Sequence, residues 1–196
     1  SATGATSGYV ALLSRDGTEN AVLFLESGGL TCTVDPSLPM PIRGLRERAY
    51  HEKAVVFENG FQDSGWAALL PAGHVALRNV LFAPIVVNGE SVGLLGLANR
   101  PSDFSEYDRE VAAGMGDIAA LALKRAQDER ALVESEARLR LLYEESPLGY
   151  QSLDERGCIL DVNARWLDLL GYHQQEVIGR WFGDFLDPSE ADLFRE

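Results

Sequence analysis

Short apolar runs broken by turn residues fill the first hundred positions of this chain, and a long helical pattern follows them. GYVALLS (8–14) and AVLFLES (21–27), joined through Arg15-Asp16-Gly17-Thr18, predict a β-hairpin. NVLFAPIVV (79–87) and SVGLLGLA (91–98) flank Asn88-Gly89, the strongest short-range hairpin signal, since both turn positions tolerate positive φ. Their nearly continuous apolar character predicts central strands covered on both faces. Between the hairpins, GLTCTVDPSLPMPIRGL (29–45) reads as loop with a short edge strand at 30–34. Ile42, Leu45 and Ala49 recur at helical spacing and predict a short surface helix over 42–52; AVVF (54–57) predicts a buried strand. Residues 58–77, aromatic and glycine-containing, have the character of a lid.

From Ser105 to Ser146 no proline interrupts a helical pattern. Ser105 and Asp108 are spaced as a capping box, Glu106 lies in the positive first turn, and Pro147 disfavours helical geometry at Ser146. A continuous helix here spans roughly 60 Å at about 1.5 Å per residue. Val111, Met115, Ile118 and Ala122 are expected to close the preceding sheet. With Ile118 and Leu121 as a and d, later seam pairs are Arg125/Asp128, Leu132/Ser135 and Leu139/Leu142, so five of eight positions are apolar. The polar positions, Arg125, Asp128 and Ser135, fall mid-seam, which predicts a parallel homodimer weakly fixed in register. A lone helix has no place to bury Leu132, Leu139 and Leu142.

Beyond Pro147, residues 148–154 and 158–163 form a further hairpin pattern around Glu155-Arg156-Gly157. Asn163 is placed to cap a helix (ARWLDLL) that ends at Gly171. QQEVIGR and WFGDFL predict two short helical turns, and Pro188 starts another helix.

Charge and composition narrow the function. The net charge of −13 argues against nonspecific nucleic-acid binding, which needs clustered Lys and Arg. Cys32 and Cys158 lack CxxC spacing and support neither a disulfide framework nor a zinc site, so a reducing, cytoplasmic setting is expected. No apolar run reaches the roughly 18 residues of a membrane helix, and the N-terminus lacks signal-peptide character; no membrane contact by this segment is expected.

The stretch RNVLFAPIVVNGESVGLLGLANRPSDFSEYDREVAAGMGDIAALAL resembles the C-terminal half of a GAF domain. WAALLPAGHVALRNVLFAPI resembles more narrowly a bacterial subgroup with an LP-x-GH pattern. The resemblance covers roughly residues 4–125 and implies a sensory domain with a pocket between the sheet and its covering loops. The helix that normally precedes the first strand is not in the sequence, so the chain looks like a piece of a longer protein. Gly157, Ile159, Asn163, Leu169, Leu170, Gly171, Tyr172, Glu176, Gly179 and Arg180 resemble the front half of a PAS domain. The three strands that complete such a domain are not in the sequence. The fold class expected is α+β/α/β: a GAF domain at 1–122, a signalling helix at 105–146 shared with its core, and a partial PAS domain at 147–196.

Phe61, Trp66, His74, Arg78 and Phe82 are the candidate lining of the GAF pocket, with an unidentified small-molecule ligand. Of the histidines, His51 and His173 read as exposed, while His74 sits near an arginine and could meet an anion or, less readily, a haem iron. The cyclic-nucleotide signature of the family falls on Asn99, Arg100, Phe104, Asp108 and Arg109, with arginine replacing the lysine and the glutamate. Cys32 is followed by Thr33 rather than histidine, which argues against a covalent bilin. Phe182 stands where photoactive LOV domains carry cysteine, which argues against LOV-type flavin photochemistry. Neither G-x-S-x-G nor a P-loop occurs, no histidine pairing suggests a metal, and residues 58–78 lack the cysteines of a GAF-type sulfoxide reductase. The resemblance therefore implies a non-catalytic sensory segment of a bacterial sensor histidine kinase or, alternatively, a diguanylate cyclase. A ligand-free dimerisation scaffold is the competing expectation.

Overall fold

The computed structural model describes residues 3–30, 32–35 and 38–187. The chain divides into two compact units, Ser1–Gln127 and Asp128–Glu196.

In the first unit, β1 (Ser7–Leu13), β2 (Glu19–Glu26), β3 (Met40–Pro41), β4 (Val56–Glu58), β5 (Val80–Val87) and β6 (Glu90–Ala98) form one sheet of order β3-β2-β1-β6-β5-β4. Every pairing is antiparallel. Asn88 (φ 52°) and Gly89 (φ 80°) make the two-residue turn between β5 and β6, as their sequence predicts. The two long hairpins join where β1 meets β6, with Tyr9 opposite Gly96 and Val10 opposite Leu95. Pro84 is tolerated inside β5 because β4 pairs only with Val80, Leu81 and Phe82, which leaves the strand's outer side open at the proline.

One face of the sheet carries Val80, Phe82 and Leu94 beneath α1 (Leu45–Glu52), which contributes Leu45, Ala49 and Tyr50. The helix begins three residues later than the sequence pattern suggests, because Gly44 at φ 64° is not helical. The opposite face buries Leu81, Ala83, Ile85 and Val87 under the first half of α2 (Glu106–Glu144). The start of α2 is fixed as its spacing predicts: the Ser105 backbone N–H and hydroxyl both donate to Asp108 Oδ2, at 2.9 and 2.7 Å.

Three details differ from the sequence reading. The described residues at 30–34 form no strand; the edge pairing comes from Met40 and Pro41 opposite Asn20 and Glu19. Consecutive left-handed glycines, Gly28 and Gly29, turn the chain at the end of β2. The face of α2 that closes the sheet is Asp108, Ala112, Gly116 and Ala120, while Met115, Ile118 and Ala122 are exposed and Val111 is half-buried. Small residues face the strands because the backbones approach closely: a Cβ on Gly116 would lie 2.7 Å from the Pro84 carbonyl oxygen.

The second unit has a two-stranded sheet of β7 (Gln151–Leu153) and β8 (Ile159–Val162), followed by α3 (Ala164–Leu170), α4 (Gln174–Val177) and a 3₁₀ turn at Phe182–Phe185. Its core is Ile159, Val162, Trp166 and Val177. Asn163 caps α3 as expected, accepting from the Trp166 N–H, and Gly171 ends it at φ 75°. The helix expected from Pro188 lies outside the described residues. Among the described residues no helix is long and apolar enough to cross a membrane.

Candidate functional site

The candidate ligand face is the side of the first sheet beneath α1. Phe61 and Phe82 are buried there in one cluster with Leu45, Tyr50 and Leu94, and Trp66 packs against it, so the three candidate aromatics converge. His74 and Arg78 make their contacts elsewhere. His74 Nδ1 lies 2.8 Å from its neighbour Val75's carbonyl oxygen, and the exposed Arg78 donates through its guanidinium to the Pro101 oxygen at 2.8 Å.

The sequence reading missed a polar group in the same layer. Tyr9 of β1 lies across Gly96, where a Cβ would come within 2.4 Å of its ring, and meets Phe82 at a centroid distance of 6.4 Å. Tyr50 donates its hydroxyl to Asn20 Oδ1 at 2.5 Å. Asn20 Nδ2 is buried without a hydrogen-bond partner, and the buried Tyr9 hydroxyl has the Arg46 guanidinium beside it but no partner at hydrogen-bond geometry. Burial pushes the Tyr9 hydroxyl up to about 12, against the opposing pull of the Arg46 guanidinium beside it. Burial also raises Tyr50, and Tyr9 beside it adds to that shift. No local spacing links Tyr9, Asn20, Arg46 and Tyr50; β1, β2 and α1 bring them together through tertiary folding.

The second candidate surface is α2. Asp108, Ala112, Gly116 and Ala120 form the stripe against the sheet. At about 100° per residue, Ile118 and Leu121 lie on the opposite side of the same helix. They are 71% and 61% exposed, and Leu132, Leu139 and Leu142 are 60%, 64% and 62% exposed. Arg125 and Asp128, between them, are exposed as well.

The sheet order, the helix laid over it and the covering segments are those of a recognised sensory fold, and a family model described as "GAF domain" matches residues 1–124. The chain belongs to the GAF domain family. A second model, "PAS fold", matches residues 137–196. Solved structures share the GAF fold, three of them as follows. A GAF domain/HD domain protein from Geobacter sulfurreducens aligns with TM-score 0.52 at 20% identity, over 63% of this chain and 82% of that one. The GAF domain of an Acinetobacter phosphoenolpyruvate-protein phosphotransferase gives 0.52 at 17%, over 63% and 74%. The corresponding domain from Coxiella burnetii gives 0.50 at 18%, over 65% and 76%. Among curated proteins nothing matches.

In this GAF domain the positions of the cyclic-nucleotide signature build an internal bracket. Asn99 Oδ1 accepts from the Arg78 N–H at 2.9 Å and its Nδ2 donates to the Ala76 oxygen at 3.2 Å. Arg100 Nε donates to the Thr3 oxygen at 2.7 Å and lies 3.6 Å from Asp108. Phe104 is core, and Arg109 lies over the Phe57 ring at 5.1 Å. Burial would raise the Asp108 carboxyl, yet the Ser105 bonds and Arg100 hold it below the usual carboxylate range. In the PAS unit Phe182 packs against the core. Cys32 is exposed and Cys158 half-buried, both as free thiols.

Proposed function

We propose that this chain is the sensory and relay region of a bacterial signal-transduction protein: a histidine kinase in the first reading, a diguanylate cyclase in the alternative. In this reading the GAF domain binds a small molecule, α2 pairs with its copy as a parallel homodimer, and the PAS unit receives the motion. The observation that carries it is the two-sided α2. A helix whose one stripe serves its own sheet while the other leaves five large aliphatic side chains in water fits a second helix. Ligand binding would favour one of two packings of the pair, and Arg125 and Asp128 in mid-seam keep those packings close in energy.

Analytical ultracentrifugation tests the pairing. The wild-type chain should sediment as a dimer, and the combined variant Ile118→Glu, Leu132→Glu, Leu139→Glu as a folded monomer, since these side chains support neither core. A monomeric wild type, or a dimer that the variant leaves intact, sinks the reading.

The ligand-free scaffold is a second reading, favoured by the mutual packing of Phe61, Trp66 and Phe82. The buried, unpartnered Asn20 Nδ2 favours the sensor. Native mass spectrometry of protein purified from its host separates them: a retained small molecule supports sensing, and bare protein supports the scaffold.

A further inference from the structure

The last turn of α2 ends on carbonyls that have no partner within the helix. One of them, on Tyr143, accepts from Asn163 Nδ2 at 2.7 Å. The same amino group donates to the Leu148 oxygen at 2.9 Å. On the other side of the carboxamide, Oδ1 accepts from the Tyr150 N–H at 2.8 Å and from the Trp166 N–H at 3.0 Å. The Asn163 backbone N–H donates to the Tyr150 oxygen at 3.1 Å. Asn163 is fully buried, and two donors and two acceptor positions are the whole capacity of an amide side chain.

Weaker contacts follow the same line. Glu144 Oε2 accepts from the Ala164 N–H at 3.3 Å, Arg165 Nε donates to the Pro147 oxygen at 3.3 Å, and the Tyr143 and Tyr150 rings stack at 6.1 Å. A rotation or axial shift of the last turn of α2 must therefore break the Tyr143 bond or carry Tyr150 and Trp166 with it. Trp166 belongs to the core of the unit.

We propose that Asn163 is the joint through which movement of α2 enters the PAS unit, one carboxamide tying the end of the helix to the hairpin and to the start of α3. Asn163 is a positioning residue, and the inference rests on the relay reading of α2. N-capping asks only for an acceptor, which aspartate supplies as well as asparagine. Holding α2 asks for the amino group. The two roles separate in Asn163→Asp, which keeps both acceptor bonds and sets an anionic oxygen against the Tyr143 and Leu148 carbonyls.

Hydrogen exchange of the full chain reads the outcome. In Asn163→Asp, amides across 141–149 should exchange about tenfold faster or more while α3 keeps its protection. Leu142→Cys, in a Cys32→Ser, Cys158→Ser background, then allows the pair of helices to be locked by oxidation. Oxidation should change exchange in β7 and α3 when Asn163 is present and leave them unchanged in Asn163→Asp. Unaltered exchange across 141–149, or an oxidation effect that survives the substitution, overturns the joint. If no disulfide forms, the pairing of α2 fails, and the first measurement still decides the joint. Should Asn163→Asp unfold the unit, Asn163→Ser, with a capping oxygen but no amino group, takes its place in both comparisons.

Discussion

Tyr9 shows how a single residue can sit in conflict with its surroundings. Its ring has a place, over Gly96 and against Phe82, while its buried hydroxyl has only the Arg46 guanidinium beside it, short of hydrogen-bond geometry. Tyr9→Phe keeps the ring and deletes a buried hydroxyl that meets Arg46 without hydrogen-bond geometry, so stability at neutral pH should rise by about 1 kcal/mol, read by chemical denaturation. The alkaline limb gives an independent check. With the folded value at about 12 and the unfolded one near 10, the Tyr9 contribution is whole below pH ~10 and is lost as pH climbs toward the folded value. Tyr9→Phe should make that fall shallower without abolishing it, because Tyr50 and Tyr143 are raised too. A lower stability at neutral pH would mean that the hydroxyl has a partner in solution. None of this was legible in the sequence. Aromatic residues in the lid announced a candidate face, but Asn20 and Tyr50 meet across two elements, and local spacing carries no trace of such a meeting.

At the scale of elements, patterns with a local cause could be read and those set by contact could not. The Asn88-Gly89 hairpin, the Ser105–Asp108 cap and the Asn163 cap are local, and each is found where the residues place it. The buried face of α2 is set by contact. Large aliphatic side chains drew the expectation toward Met115 and Ile118, whereas the sheet accepts only Ala112, Gly116 and Ala120 at its approach distance. Two glycines of α2 turn this into a measurement. A Cβ at Gly116 meets the Pro84 oxygen at 2.7 Å, and a Cβ at Gly114 meets nothing within 4 Å. Gly114→Ala should stabilise the GAF unit by up to about 1 kcal/mol through helix propensity. Gly116→Ala should destabilise it by about 1–3 kcal/mol as helix and strand are forced apart. Equal and favourable effects at both sites would mean that α2 does not lie against β5 as described.

On the scale of the whole molecule, the two units differ in how much core each owns. Among the described residues the GAF unit has three buried clusters serving both faces of a six-stranded sheet, whereas the PAS unit has one, built on four buried side chains. Stability follows buried apolar area, so the PAS unit should melt first. Calorimetry of the full chain should then show two transitions, and core substitutions assign them. Leu81→Ala removes a fully buried side chain beneath α2 and should lower only the upper transition, by an amount equivalent to about 2–5 kcal/mol. Ile159→Ala removes its fully buried counterpart in the PAS unit and should lower only the lower one, by a similar amount. If α2 pairs, both midpoints should also rise with protein concentration, by mass action on the dimer. A single transition shifted by either substitution would mean that α2 joins the two cores into one cooperative body. A relay needs the opposite: two cores stable on separate terms, with one helix as the element whose movement both can feel.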